Sequence, residues 1–171
     1  MLIQYLSEAD ALSLVPSGAA AMISITEPGR TAPLVFPHAW GALLRVQFAD
    51  AEYDEAMIER LSARGVHFDP SAKGFPDRHS AETIRAFLDG LTEARQIKAL
   101  YVHCHAGQRR SAAVARYACE LLDVHFEDSE KGHNRTVYTL LNNPLQFDRP
   151  QARSWASMAR EVFGFKKLPR S

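Results

Sequence analysis

Apolar positions fall along this chain in two rhythms, short continuous runs and longer stretches spaced by three or four. AAMISIT (20–26) and LLRVQF (43–48) are short, apolar and rich in β-branched residues, and they predict strands with PGRTAP as irregular loop between them. LIQYL near the start predicts a further short strand. Lys98 to His103 is bounded and apolar in its middle, the pattern of a strand covered on both faces. Between these runs the period lengthens. Glu52 to Arg64 carries Ala56, Met57, Ile58 and Leu61 and stops at Gly65, which predicts a helix ended by a glycine cap. From Ser80, read as the cap, Ile84, Phe87, Leu88 and Leu91 recur at helical spacing. Ser111 to Leu122 and Asn134 to Leu141 predict two more helices. A last one from about Pro150 carries Trp155, Met158, Val162 and Phe163 as core residues. Strands alternating with helices predict an α/β layer, a central mostly parallel sheet flanked by helices, in one domain over 1–171.

Composition narrows the function classes. Lys plus Arg and Asp plus Glu both number 20, so no global field recruits nucleic acid or an anionic membrane, and any anion site is local. Two cysteines, Cys104 and Cys119, are too few for a disulfide scaffold and fit a reducing compartment. The opening MLIQYLSEADALSL lacks a basic region before its apolar residues, and no apolar run reaches membrane-spanning length, so the expected location is the cytoplasm.

The chemistry concentrates in HCHAGQRRS (103–111), between the apolar strand and the helix after it. A turn that ends in the first residues of a helix aims backbone N–H groups at one point, where the helix dipole adds positive potential. His105, Ala106, Gly107, Gln108, Arg109 and Arg110 thus predict an anion cradle. Gly107 permits a backbone conformation closed to other residues and leaves room for the anion. Arg110 supplies a planar fork for two oxygens of a tetrahedral anion. Cys104 lies at the floor, where the same N–H groups favour its thiolate.

HCHAGQRRS resembles, position by position, the HCxxGxxR[ST] signature of the cysteine-dependent tyrosine and dual-specificity phosphatases, and the chain looks most similar to compact bacterial members related to the dual-specificity group. The resemblance implies that fold and a metal-independent, cofactor-free hydrolysis of phosphomonoesters. Cys104 attacks phosphorus and forms a cysteinyl phosphate, while Arg110 and the amides of 105–110 hold the equatorial oxygens. Ser111 helps the cysteine leave, His103 supports the loop and the low thiol pKa, and Asn134 ties the cradle to the following helix. A helix cap is the plainer reading of Asn134. The implied partner is a phosphorylated protein, first of all phosphotyrosine, with no nucleic acid or membrane partner. Phosphoinositides, RNA ends, or binding without turnover are the alternatives.

Rival readings of the same residues are weaker. A buried core cysteine does not account for Gly107, Arg110 and Ser111 in register. A zinc site from His103, Cys104 and His105 with Cys119 or His133 lacks a second CxxC or HxxxH pair, and adjacent strand residues face opposite ways. Rhodanese-type loops generally lack the hydroxyl after the arginine. Arg109 departs from the family's small residue; with His105 it either adds positive charge to the rim or faces solvent.

The family also needs an aspartate to protonate the leaving oxygen. Asp50 follows LLRVQF and is expected at the carboxyl end of a strand parallel to the one ending in Cys104. Asp77, in an FPD tripeptide that resembles the WPD of larger tyrosine phosphatases, is the rival, and Asp69 the third candidate. Asp50 is preferred, with capping of the next helix as its alternative role.

Overall fold

The computed structural model describes residues 1–34, 37–127 and 132–148. The helix expected from about Pro150, with Trp155, Met158, Val162 and Phe163, lies outside them. Four strands, β1 (Leu2–Ser7), β2 (Ala20–Thr26), β3 (Ala42–Gln47) and β4 (Ala99–Cys104), form one sheet in the order β1-β4-β2-β3. Among the described residues every pairing is parallel, as the α/β reading expected of most of the sheet. β2 and β4 are the central strands, which explains their continuous apolar runs: β2 is buried at all seven positions. β1 and β3 are edges and more exposed.

Helices cover both faces. α1 (Glu8–Ser13) and the segment around Leu34 and Trp40 pack over Ala20 and Met22 on one side. On the other, α2 (Glu55–Ala63), α3 (Arg78–Glu93), α4 (Arg110–Leu121) and α5 (Arg135–Asn142) close over Ala21, Ile23, Ile25, Leu100 and Val102. α4 meets the sheet through Ala113, Val114 and Ala118, whose short side chains let its backbone approach. α5 packs on both α3 and α4.

Two helix starts differ from the periodicity. α3 begins at Arg78, because Asp77 is its cap and accepts the Ser80 N–H at 2.8 Å. Ser80 returns the bond from the third helical position as half of a capping box rather than serving as the cap. α2 begins at Glu55, because Asp54 accepts the Met57 N–H at 2.7 Å. Asp50 caps nothing there, and Glu52 and Tyr53 lie outside the helix. α1 and the 3-10 turn Pro37–Ala39 leave too short a pattern for periodicity to reveal.

The carboxyl ends of all four strands converge. β1 runs directly into α1, whose Glu8 N–H donates to the His105 carbonyl at 3.2 Å. β2 leads to Glu27, β3 to Phe48 and Asp50, and β4 ends in Cys104. In parallel sheets ligand sites form at this end.

Candidate active site

Residues 105–109 bend from β4 into α4, with Gly107 at φ +65°. A Cβ at Gly107 would collide with the backbone of Leu6 and Ser7, the carbonyl oxygen of Leu6 lying 2.7 Å away. The glycine is therefore required by the left-handed turn and by the end of β1 packed against it. The backbone conformation is the first of the two reasons anticipated above, and the close approach of β1 is one that the sequence did not reveal. α4 starts without a side-chain cap, since Arg109 makes no capping bond. Its first N–H groups are thus free to serve the site.

Cys104 is 2% exposed, and its Sγ lies 3.3 Å from the Ser111 hydroxyl oxygen. Burial works against ionisation of this thiol. The Ser111 hydroxyl, the N–H groups of Ser111 and Gln108 and the Arg110 guanidinium outweigh it, so the thiol is held below its ordinary value. Cys119, the tenth residue of α4, is pushed the other way by burial and then by Glu120.

Arg110 is 3% exposed and gripped along one side. One terminal nitrogen donates to the Phe48 carbonyl at 2.7 Å and the other pairs with Glu27 at 2.7 Å. Its Nε, also buried, has no partner among the described residues. A guanidinium held this way keeps an Nε edge for an acceptor, and a tetrahedral oxyanion supplies two oxygens at that spacing.

Asp50 meets the loop through two neighbours. Its Oδ1 accepts from Asn134 Nδ2 at 2.8 Å and lies 3.9 Å from Arg109 Nε. Asp77 and Asp69 are engaged in local structure, capping α3 and accepting the Ala72 N–H at 3.1 Å. Asn134, fully buried, bonds to α5, to the Asp50 segment and to the loop. Its Oδ1 caps α5 at the Val137 N–H, its Nδ2 also donates to the Ala51 carbonyl at 3.1 Å, and its own N–H donates to Arg109 O at 3.0 Å.

His103 projects from the opposite face of the sheet to Cys104 and is fully buried. Burial above all, with Arg45 and Arg30, lowers its pKa, against Glu8 and the Cys104 backbone, which favour the proton. Neither ring nitrogen completes a hydrogen bond to a described residue, although the Cys104 backbone lies within electrostatic reach. His105 and Ala106 are exposed at the rim. Arg109 is neither an unpaired rim cation nor simply solvent-facing: its fork reaches Glu52 at 2.6 Å.

Two residues of this site, Glu27 and Glu52, escaped sequence reasoning. Glu27 had one available signal, its place directly after a buried strand. Glu52 had none, because its helical pattern placed it inside α2. Among the described residues no group of three or more His, Cys, Asp or Glu is arranged to hold a metal ion, and no helix is long and apolar enough to cross a membrane.

No family model matches the chain, and no curated protein matches it. Among solved structures it is similar to a human tyrosine phosphatase-like serine/threonine/tyrosine-interacting protein, at 19% identity over 79% of this chain and 70% of that one, with a TM-score of 0.38.

Proposed function

We propose that the chain is a metal-independent phosphomonoester hydrolase that works through a cysteinyl phosphate, with phosphotyrosine in proteins as its substrate class. The observation that carries this reading is the buried Nε edge of Arg110 beside a thiol biased toward thiolate. In the first step the Cys104 thiolate attacks phosphorus, the P–O bond to the leaving group breaks, and Asp50 passes its proton to the departing oxygen. Arg110 and the loop N–H groups hold the three equatorial oxygens as charge shifts among them. In the second step water attacks phosphorus and gives its proton to the Asp50 carboxylate. The P–S bond breaks, and Ser111 donates to the leaving sulfur.

The rim supports a protein monoester over phosphoinositides or RNA ends. Glu52 already occupies Arg109, the arginine beside the cradle, so that guanidinium is not free to bind the further phosphates of a polyanionic substrate.

The test is hydrolysis of an aryl phosphate and of phosphotyrosine peptides in chelator by wild type, Cys104→Ser, Asp50→Asn and Asp77→Asn. Wild type turns over, Cys104→Ser does not, and Asp50→Asn loses about a hundredfold or more in kcat. Full activity in Cys104→Ser, or none in wild type, overturns the hydrolase and leaves phosphate binding without turnover. Loss in Asp77→Asn alone moves the acid to Asp77.

A further inference from the structure

Arg109 stands between two carboxylates and favours one. It reaches Glu52 at 2.6 Å, while its Nε stays 3.9 Å from Asp50 Oδ1. That same Asp50 oxygen accepts from Asn134 at 2.8 Å, so both contacts fall on Oδ1. A guanidinium forks readily onto both oxygens of one carboxylate. An Asp50 gripped in that way would have no oxygen left to carry a proton to a leaving group. We infer that Glu52 is a positioning residue: it draws the Arg109 guanidinium away from Asp50, leaving the second oxygen of the acid free toward the bound ester.

The surroundings of Glu52 fit this task. Its Oε1 also accepts the Arg135 N–H at 2.9 Å, so the carboxylate is fixed on the first turn of α5 and not merely swept along by Arg109. Burial opposes its charge, but the Arg135 N–H and the Arg109 hydrogen bond, with both guanidiniums, hold its carboxyl below the ordinary range. The Asp50 segment is stitched down independently of Glu52. Ala49 donates to Gly74 O at 2.8 Å, and Thr136 exchanges bonds with the Tyr53 backbone at 2.8 and 2.7 Å. Losing the Glu52 charge therefore frees Arg109 without freeing the loop. The charged groups around Asp50 are then Arg109 beside it, Arg135 behind Glu52, and the Arg110–Glu27 pair.

This inference rests on the hydrolase reading and on Asp50 as its acid, and the experiment separates its failure from that of the hydrolase reading. Compare wild type, Glu52→Gln, Arg109→Gln and the double variant on aryl phosphates whose leaving groups range from activated to poor, and solve the crystal structure of Glu52→Gln. Glu52→Gln loses about tenfold or more in kcat on poor leaving groups and progressively less as the leaving group improves. The double variant recovers most of that loss, because the guanidinium that had captured Asp50 is gone. The variant structure has the Arg109 fork within hydrogen-bond distance of Asp50. A merely structural Glu52 gives a loss that is uniform across leaving groups and deepened, not relieved, by the second substitution. Such a result overturns the inference, as does an Arg109 that stays where it is or moves without steepening the leaving-group dependence. An inactive wild type sinks the hydrolase reading instead, and the Arg109–Asp50 distance in the variant then decides alone whether Glu52 holds the guanidinium off.

Discussion

At the scale of single residues, the balance around Cys104 is the feature most open to measurement. A thiol this buried should ionise late, and it is brought below its ordinary value by a few directed donors, the Ser111 hydroxyl first among them. A hydrogen bond to a charged acceptor contributes roughly 1.5–3 kcal/mol. Ser111→Ala should therefore move the pH profile of Cys104 alkylation toward alkali and slow the reaction near neutral pH by about tenfold or more. Cys119 is an internal control, since its thiol is shifted upward and should stay unmodified near neutral pH. Mass spectrometry after timed iodoacetamide treatment, with and without vanadate, reads both sites at once. Superimposable Cys104 profiles in wild type and variant would remove Ser111 from the account of the thiolate.

Among the elements, the loop over residues 105–109 stands at the end of the sheet where the four strands finish, and Gly107 is where the fit is tightest. Any side chain there is strained twice, by φ +65° and by the Leu6–Ser7 backbone behind it. The left-handed conformation costs about 1–2 kcal/mol and overpacking about 1–3, so Gly107→Ala should lose about 2–5 kcal/mol in denaturant unfolding, with phosphate affinity falling as the loop shifts. A midpoint within about 0.5 kcal/mol of wild type would mean that the β1 end yields easily. β2 and β4 were legible because strands buried on both faces carry unbroken apolar runs, and the loop was legible because its residues are contiguous. Asp50 could be placed just beyond a strand end from sequence, because LLRVQF leads directly to it. What could not be read was pairing between distant segments. Arg110 with Glu27, Arg109 with Glu52 and Asn134 with Asp50 each join residues far apart in the chain, and side-chain reach across a bowl leaves no periodic trace. The helix starts misled for a related reason: Asp54 rather than Asp50 caps α2, and Asp77 rather than Ser80 caps α3, a local contest that the apolar spacing does not record.

Taken as a whole, the molecule separates its two sheet faces by chemistry, and that separation sets its response to acid. Cys104 points into the face closed by α3, α4 and α5, while His103 points to the face of α1, where Glu8 pairs with Arg30 and Arg45 donates to Ala32 O. Glu8 favours a proton on His103, but burial prevails and Arg45 and Arg30 reinforce it. The imidazole pKa is therefore depressed in the folded chain relative to its ordinary 6.5. As pH falls below about 6.5 the unfolded chain takes up a proton at this position that the folded chain refuses, so stability declines with falling pH until the folded value is passed. Cys104 has the same sign but a window bounded above by its ordinary 9.0, so a Cys104→Ser background removes its contribution. Glu52 acts only below 4.5. Thermal unfolding of Cys104→Ser and of Cys104→Ser/His103→Gln between pH 7.5 and about 5 isolates the histidine. The melting temperature of the first should fall more steeply than that of the second, whose glutamine does not titrate. Parallel curves would mean that His103 gains its proton inside the fold, shared with Glu8, and that the acid sensitivity of the molecule arises elsewhere.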